Sequence, residues 1–94
     1  MSWENNVEKT VLIFAIEKSL LNIGKPLYEA VVSRLEGVHN CKLADCDKRL
    51  VELKQVLCDI FGSSHTAILD GIKIELGELS NEEYYSERLK VLEN

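Results

Sequence analysis

Three cysteines and two histidines are the side chains of this 94-residue sequence best equipped for chemistry. The tightest grouping is His39-x-Cys41-x4-Cys46, with Cys58 and His65 as completing ligands. Zinc takes tetrahedral sets of thiolate and imidazole, and these five residues could supply one. The spacing lacks the C-x2-C pair of common zinc sites, and Cys46 and Cys58 fall at helical positions suited to small core residues. Free cysteine is among the most buried residue types. The bland assignment is therefore preferred, with no metal and no cofactor expected.

His65 could act as a general base if a nucleophile and an orienting carboxylate stood beside it. Ser63, Ser64 and Asp59 are near in sequence, but no strand–elbow–helix pattern surrounds them. Turn and cap chemistry accounts for all three. The pairs Glu82-Glu83 and Asp45/Asp47 read as acids at helix N-termini, where the macrodipole favours them. Phosphate loops, dinucleotide fingerprints and EF-hand patterns find no match. No catalytic residue is assigned, and an enzyme is not expected.

The elements that position these residues read as helices. Apolar spacing predicts a first helix over about Glu4–Leu21, ended at Asn22-Ile23-Gly24, with Pro26 opening the next. This helix is apolar on two sides: Ile13, Ile16, Leu20 and Ile23 form one stripe, and Val7, Val11, Phe14 and Leu21 another. A buried strand through Val11–Ile16 is the competing local assignment, but the flanking charged and leucine-rich segments favour a helix. A second helix is expected over Pro26–Leu35, then an irregular connection from Gly37 to Ala44 anchored by Leu43. Asp45 is expected to cap a third helix over Cys46–Phe61.

The segment Leu57–Ile72 carries the clearest punctuation. Gly62 closes one helix, Ser63 or Ser64 caps the next, and a fourth helix runs over Ser64–Leu76. Gly71 inside it costs about 1 kcal/mol relative to alanine, which close approach by another helix would explain. Gly77 supplies a stop. Ser80-x-x-Glu83 has the form of a capping box, opening a fifth helix over Asn81–Leu92 whose thin apolar side is Tyr84, Tyr85, Leu89 and Leu92. The expected architecture is a compact all-α bundle of four to five short helices in one domain over residues 1–94.

Composition fits that architecture, at 46% hydrophobic and 29% charged. The longest apolar run, Val11–Ile16, is far short of the roughly 20 residues needed to span a bilayer. Acids precede it where a secretory leader would carry bases. An odd number of cysteines argues against a disulfide framework and for a reducing, cytoplasmic setting.

The net charge of −5 sits wholly in residues 59–94, because residues 1–58 hold eight acids and eight bases. A helix-turn-helix with its turn at Phe61–Ser64 is the alternative functional reading. Its recognition helix would present Thr66, Asp70, Lys73 and Glu75, a net negative surface facing phosphates. Nucleic-acid binding is disfavoured unless Lys42, Lys48, Arg49 and Lys54 assemble a basic face. Trp3, Val7, Val11 and Phe14 lie near one side of the first helix and form the candidate interface, for a protein partner or for a homodimer.

One wider pattern concerns Leu57-x-x-Ile60-Phe61-Gly62 followed by Ile68-Leu69-x-x-Ile72-x-x-x-Leu76. Together with Leu20-Leu21-Asn22-Ile23-Gly24, it resembles a family of short archaeal helical domains, the Nitrososphaera output domain. The likeness covers about residues 7–76 and rests on helix stops and core positions. It implies an interaction or signal-output module without assigned chemistry, and carries no catalytic residues. The loop Val38–Cys46 and the helix bearing Tyr84-Tyr85 depart from the family pattern.

Overall fold

The computed structural model describes residues Trp3–Glu93, with side-chain surroundings given from Val7 onward. Five α-helices account for most of it: α1 (Trp3–Ile23), α2 (Lys25–His39), α3 (Leu50–Phe61), α4 (His65–Leu76) and α5 (Glu83–Glu93). Short 3-10 segments, Leu43–Lys48, Gly62–Ser64 and Gly77–Asn81, join the last four. The chain is thus an all-α bundle of short helices, with Val11–Ile16 helical. No helix among the described residues is long and apolar enough to cross a membrane.

One core cluster draws on all five helices. Helix α1 lies against α2, α4 and the Leu43–Lys48 segment, while α3 packs between α2 and α5. The buried row of α1 is Leu12, Ala15, Ile16, Ser19 and Leu20, with Val11 and Ile13 half-covered at its edges. Of the apolar stripe Ile13, Ile16, Leu20 and Ile23, the first three are buried or half-covered, while Ile23, the last residue of α1, is exposed. Gly24 breaks the helix in an extended conformation, and its carbonyl accepts the N–H groups of Leu27 and Tyr28 at 3.1 Å each.

Helix ends account for most departures from expectation. Helix α2 passes through Gly37 and stops four residues later than Leu35, where Asn40 takes the left-handed conformation (φ 51°). The Cys41 N–H then returns to the Leu35 carbonyl at 3.1 Å, and asparagine tolerates that geometry better than most residues. The next segment is not the start of α3. Residues Leu43–Lys48 wind as a 3-10 turn that buries Leu43 and Cys46, and Arg49 interrupts it before α3 begins at Leu50. Asp45 therefore caps no helix with its side chain, and it faces Lys9 at 3.9 Å.

The two serine caps are also absent, for a common reason. An N-cap side chain needs an extended backbone to reach forward. Ser64 is already helical (φ −74°, ψ −3°), continuing the 3-10 turn that follows Gly62, so neither Ser63 nor Ser64 caps α4. Ser80 lies inside the turn Gly77–Asn81, and its hydroxyl donates backward to the Gly77 carbonyl at 2.8 Å. The capping box is not formed. Glu82 is the extended residue before α5 instead, and its carbonyl accepts from the Ser86 N–H at 2.8 Å.

Gly71 meets the expectation of close approach. A Cβ built there would stand 2.5 Å from Ser19 Oγ on α1, closer than real atoms allow. The same buried hydroxyl donates to the Ile68 carbonyl at 3.3 Å, which pins α1 to α4 at their crossing. Gly71→Ala must turn the Ser19 hydroxyl away and strand it in the core, a loss that outweighs the gain in helix propensity. We expect Gly71→Ala to cost about 1–2 kcal/mol in urea unfolding. Adding Ser19→Ala removes the clashing oxygen and should return the double variant to within about 0.5 kcal/mol of the parent or above it.

Candidate docking face

The chemistry-bearing residues are not brought together. Cys41 and Cys46 are buried and Cys58 is half-buried. Among the described residues, no group of three or more His, Cys, Asp and Glu converges as a metal set. Desolvation pushes the Cys46 thiol up to about 12, and the neighbouring Cys41 and Asp47 add to it. Burial raises Cys41 as well, against the opposing pull of Arg49. Thiols held in this protonated state are poor nucleophiles and poor ligands.

His65 is spent locally. Its Nδ1 lies 3.3 Å from the Gly62 carbonyl, and its Nε2 is enclosed with no hydrogen-bond partner among the described residues. Ser63 and Ser64 are exposed, and Asp59 lies 3.8 Å from Arg34. Base, nucleophile and orienting acid thus have no mutual geometry.

The α4 surface is similarly committed. Lys73, its one lysine, donates to Glu93 at 2.7 Å, while Glu75 accepts from Asn22 at 3.2 Å and faces Lys18 at 3.9 Å. Among the four candidate basic residues, the Arg49 guanidinium is held by Glu52 at 3.3 Å and by the His39 carbonyl at 3.2 Å. Lys42 and Lys48 are exposed singly, in a segment that also carries Asp45 and Asp47.

What the fold does present is the outer side of α1. Val7, Phe14 and Leu21 recur every seven residues, which is close to two helical turns. They are 49%, 60% and 44% exposed, on the side of α1 opposite Leu12, Ala15 and Ser19. Val11 lies at the edge of this row and is half-covered by the core. The side chain of Trp3 lies outside the described residues. Other large exposed apolar residues, such as Val38, Val51 and Ile74, stand on three different helices. Scattered single residues are ordinary, whereas a row on one helix is a surface.

Beside the row lies an open cleft of about 350 Å³ between α1 and the Leu43–Lys48 segment, lined by Thr10, Ile13, Phe14, Glu17, Ala44 and Asp45 among others. A second cleft of about 480 Å³ runs along α2 past Tyr28, Glu29, Val32 and Glu36. Tyr28 of the second cleft donates its hydroxyl to Glu17 of the first at 3.0 Å. Burial, followed by this bond and the charges of Glu17 and Glu29, raises the Tyr28 hydroxyl above its ordinary value. Sequence reading found Phe14 but not Tyr28, Val32 and Ala44. Their apolar character is legible, but their adjacency depends on how α2 and the 3-10 segment fold back onto α1.

A scan of protein families, curated proteins and solved structures finds no match to this chain.

The burial pattern sets an order of thiol reactivity. With iodoacetamide under native conditions, Cys58 should be carbamidomethylated first. Cys41 and Cys46 should be modified only as fast as the protein opens. Peptide mass spectrometry over a labelling time course reads this order, and early labelling of Cys46 would contradict the burial described.

Proposed function

We propose that this chain is a non-enzymatic interaction or signal-output module that docks a protein partner through the outer side of α1. The observation that carries the reading is the Val7–Phe14–Leu21 row, exposed on the one helix whose opposite side is the centre of the core. An apolar row without a neighbour in its own bundle is the usual form of a helix-mediated docking surface. The sequence resemblance to the Nitrososphaera output domain points the same way, since that family is regarded as an output module. Three free thiols suit a reducing, cytoplasmic setting.

The alternative, a helix-turn-helix regulator of DNA, draws less support. Helix α4 exposes Asp70 and has its lysine paired, whereas major-groove readers present unpaired Arg, Lys, Asn or Gln.

Self-association is one form of docking open to a single helical row, because a two-fold axis can set the row against its own copy. Light scattering over a concentration series tests it, with the parent beside Phe14→Glu and the control Val51→Glu on α3. Self-association through α1 gives a dimer that Phe14→Glu alone converts to a folded monomer. A dimer that survives Phe14→Glu removes this face from the reading. Phe14→Glu itself should cost less than about 1 kcal/mol of stability, because the ring is already largely in water.

A further inference from the structure

The cleft beside Phe14 and the cleft along α2 carry a charge pattern that specifies more than an apolar partner. Their apolar floor is Ile13, Phe14, Val32 and the Tyr28 ring, and their rims carry Glu17, Glu29, Glu36 and Asp45. Two cations of this face are engaged, while Lys42, which shares a neighbouring cleft with Glu36 and Asp45, is exposed with no ion-pair partner within 4.0 Å among the described residues. Lys9 lies 3.9 Å from both Asp45 and Asp47, and Arg49 is held by Glu52. Glu29 and Glu36 have no ion-pair partner within 4.0 Å among the described residues. Glu17 takes the neutral Tyr28 hydroxyl. The lining of the two clefts thus holds the four carboxylates of Glu17, Glu29, Glu36 and Asp45 against the one lysine, Lys9, in a chain of net charge −5. A partner with acidic flanks, including a second copy placing the same rims against these, would set like charges together.

We propose that this face binds a basic amphipathic helix of a partner protein. The apolar side of that helix lies over Phe14 and Ile13, and its lysines or arginines reach Glu17, Glu29 and Glu36. The assignment rests on the docking face described above. It deepens that reading by naming the chemistry of the occupant, using the helix-in-groove mode, in which anchors at helical spacing give affinity and flanking charge gives selectivity.

The test uses two synthetic helical peptides of about 18 residues. Both place leucine at helical spacing on one side; one carries lysine elsewhere and the other glutamate. Binding to the full chain is read by fluorescence anisotropy in about 0.15 M salt. The expected result is that the lysine peptide binds at least about tenfold more tightly than the glutamate peptide. Glu29→Lys/Glu36→Lys should erase or invert that preference. Glu82→Lys/Glu87→Lys, just before and within α5, which changes net charge equally, should leave most of it. Phe14→Ser should weaken binding of the lysine peptide, with circular dichroism establishing that each variant is folded.

Equal loss in the two charge-reversal variants would overturn the proposal, because bulk charge would then explain the preference. Equal binding of both peptides, weakened by Phe14→Ser, would overturn the basic partner while leaving the docking face standing. If neither peptide binds and the parent is a dimer that Phe14→Glu dissolves, the occupant is a second copy and the proposal is wrong. If neither binds and Phe14 variants change nothing, both the proposal and the docking face fall.

Discussion

The contact between Ser19 and Gly71 governs the rest of this bundle. A missing Cβ on α4 leaves room for one hydroxyl of α1, and that hydroxyl reaches the backbone of α4 at Ile68. The two helices thereby lie closer than ordinary side chains would permit. Once α4 occupies that side of α1, α2 and the Leu43–Lys48 segment cover other parts of it. The row through Val7, Phe14 and Leu21 is what remains. The outward-facing surface is in this sense a by-product of where the tight crossing was placed.

Electrostatics follow the same geometry. The acidic C-terminal third neutralises part of the neutral half across the bundle: Glu75 approaches Lys18, and Asp59 approaches Arg34. Both pairs are at least partly exposed, so each contributes little to stability. Their larger effect is on what is left over. Lys18 and Arg34 are drawn by these contacts toward α4 and α3, away from the carboxylates of Glu17 and Glu29 beside Tyr28. At the other end, Arg88 lies 3.6 Å above the Tyr84 ring, which itself meets Tyr85 edge-on at 5.1 Å. The thin apolar side of α5 is thereby extended by an arginine stem and a stacked ring.

Much of this was legible from residue order. Five helices follow from apolar spacing, and Gly24, Gly62 and Gly77 mark three of their ends. Gly71 was legible as a contact, though its partner was not: Ser19 sits in an apolar row, and nothing in the sequence distinguishes it from a surface serine. The serine caps failed because Ser64 and Ser80 look the same in sequence whether the preceding turn is extended or 3-10. That choice is made by the glycine conformation before each of them and by how the next helix docks. Asn40 was missed because Gly37 is the more familiar stop, yet a solvent-facing glycine can remain helical when the turn after it is well closed. Of the two cysteines read as core residues, Cys46 is buried, though in a 3-10 turn rather than the expected helix, and Cys58 is only half-buried. The exposed row of α1 was legible as the second side of a two-sided helix, but the cleft lining contributed by α2 and Ala44 exists only after folding.

The joints after α3 and α4 repeat one backbone shape. Gly62 and Gly77 share φ 60° and have ψ of −136° and −131°. Reflected through the origin, these angles fall in the extended basin that ordinary L-residues occupy freely. Each joint is therefore a site of inverted handedness, strained for any L-alanine but natural for a D-alanine. A chemically synthesised chain carrying D-alanine at both positions would keep the bends while narrowing the freedom of the unfolded polymer. The α3–α4–α5 arm thus turns at two exposed points of mirror-image backbone, and each could be stiffened by a residue of the opposite hand.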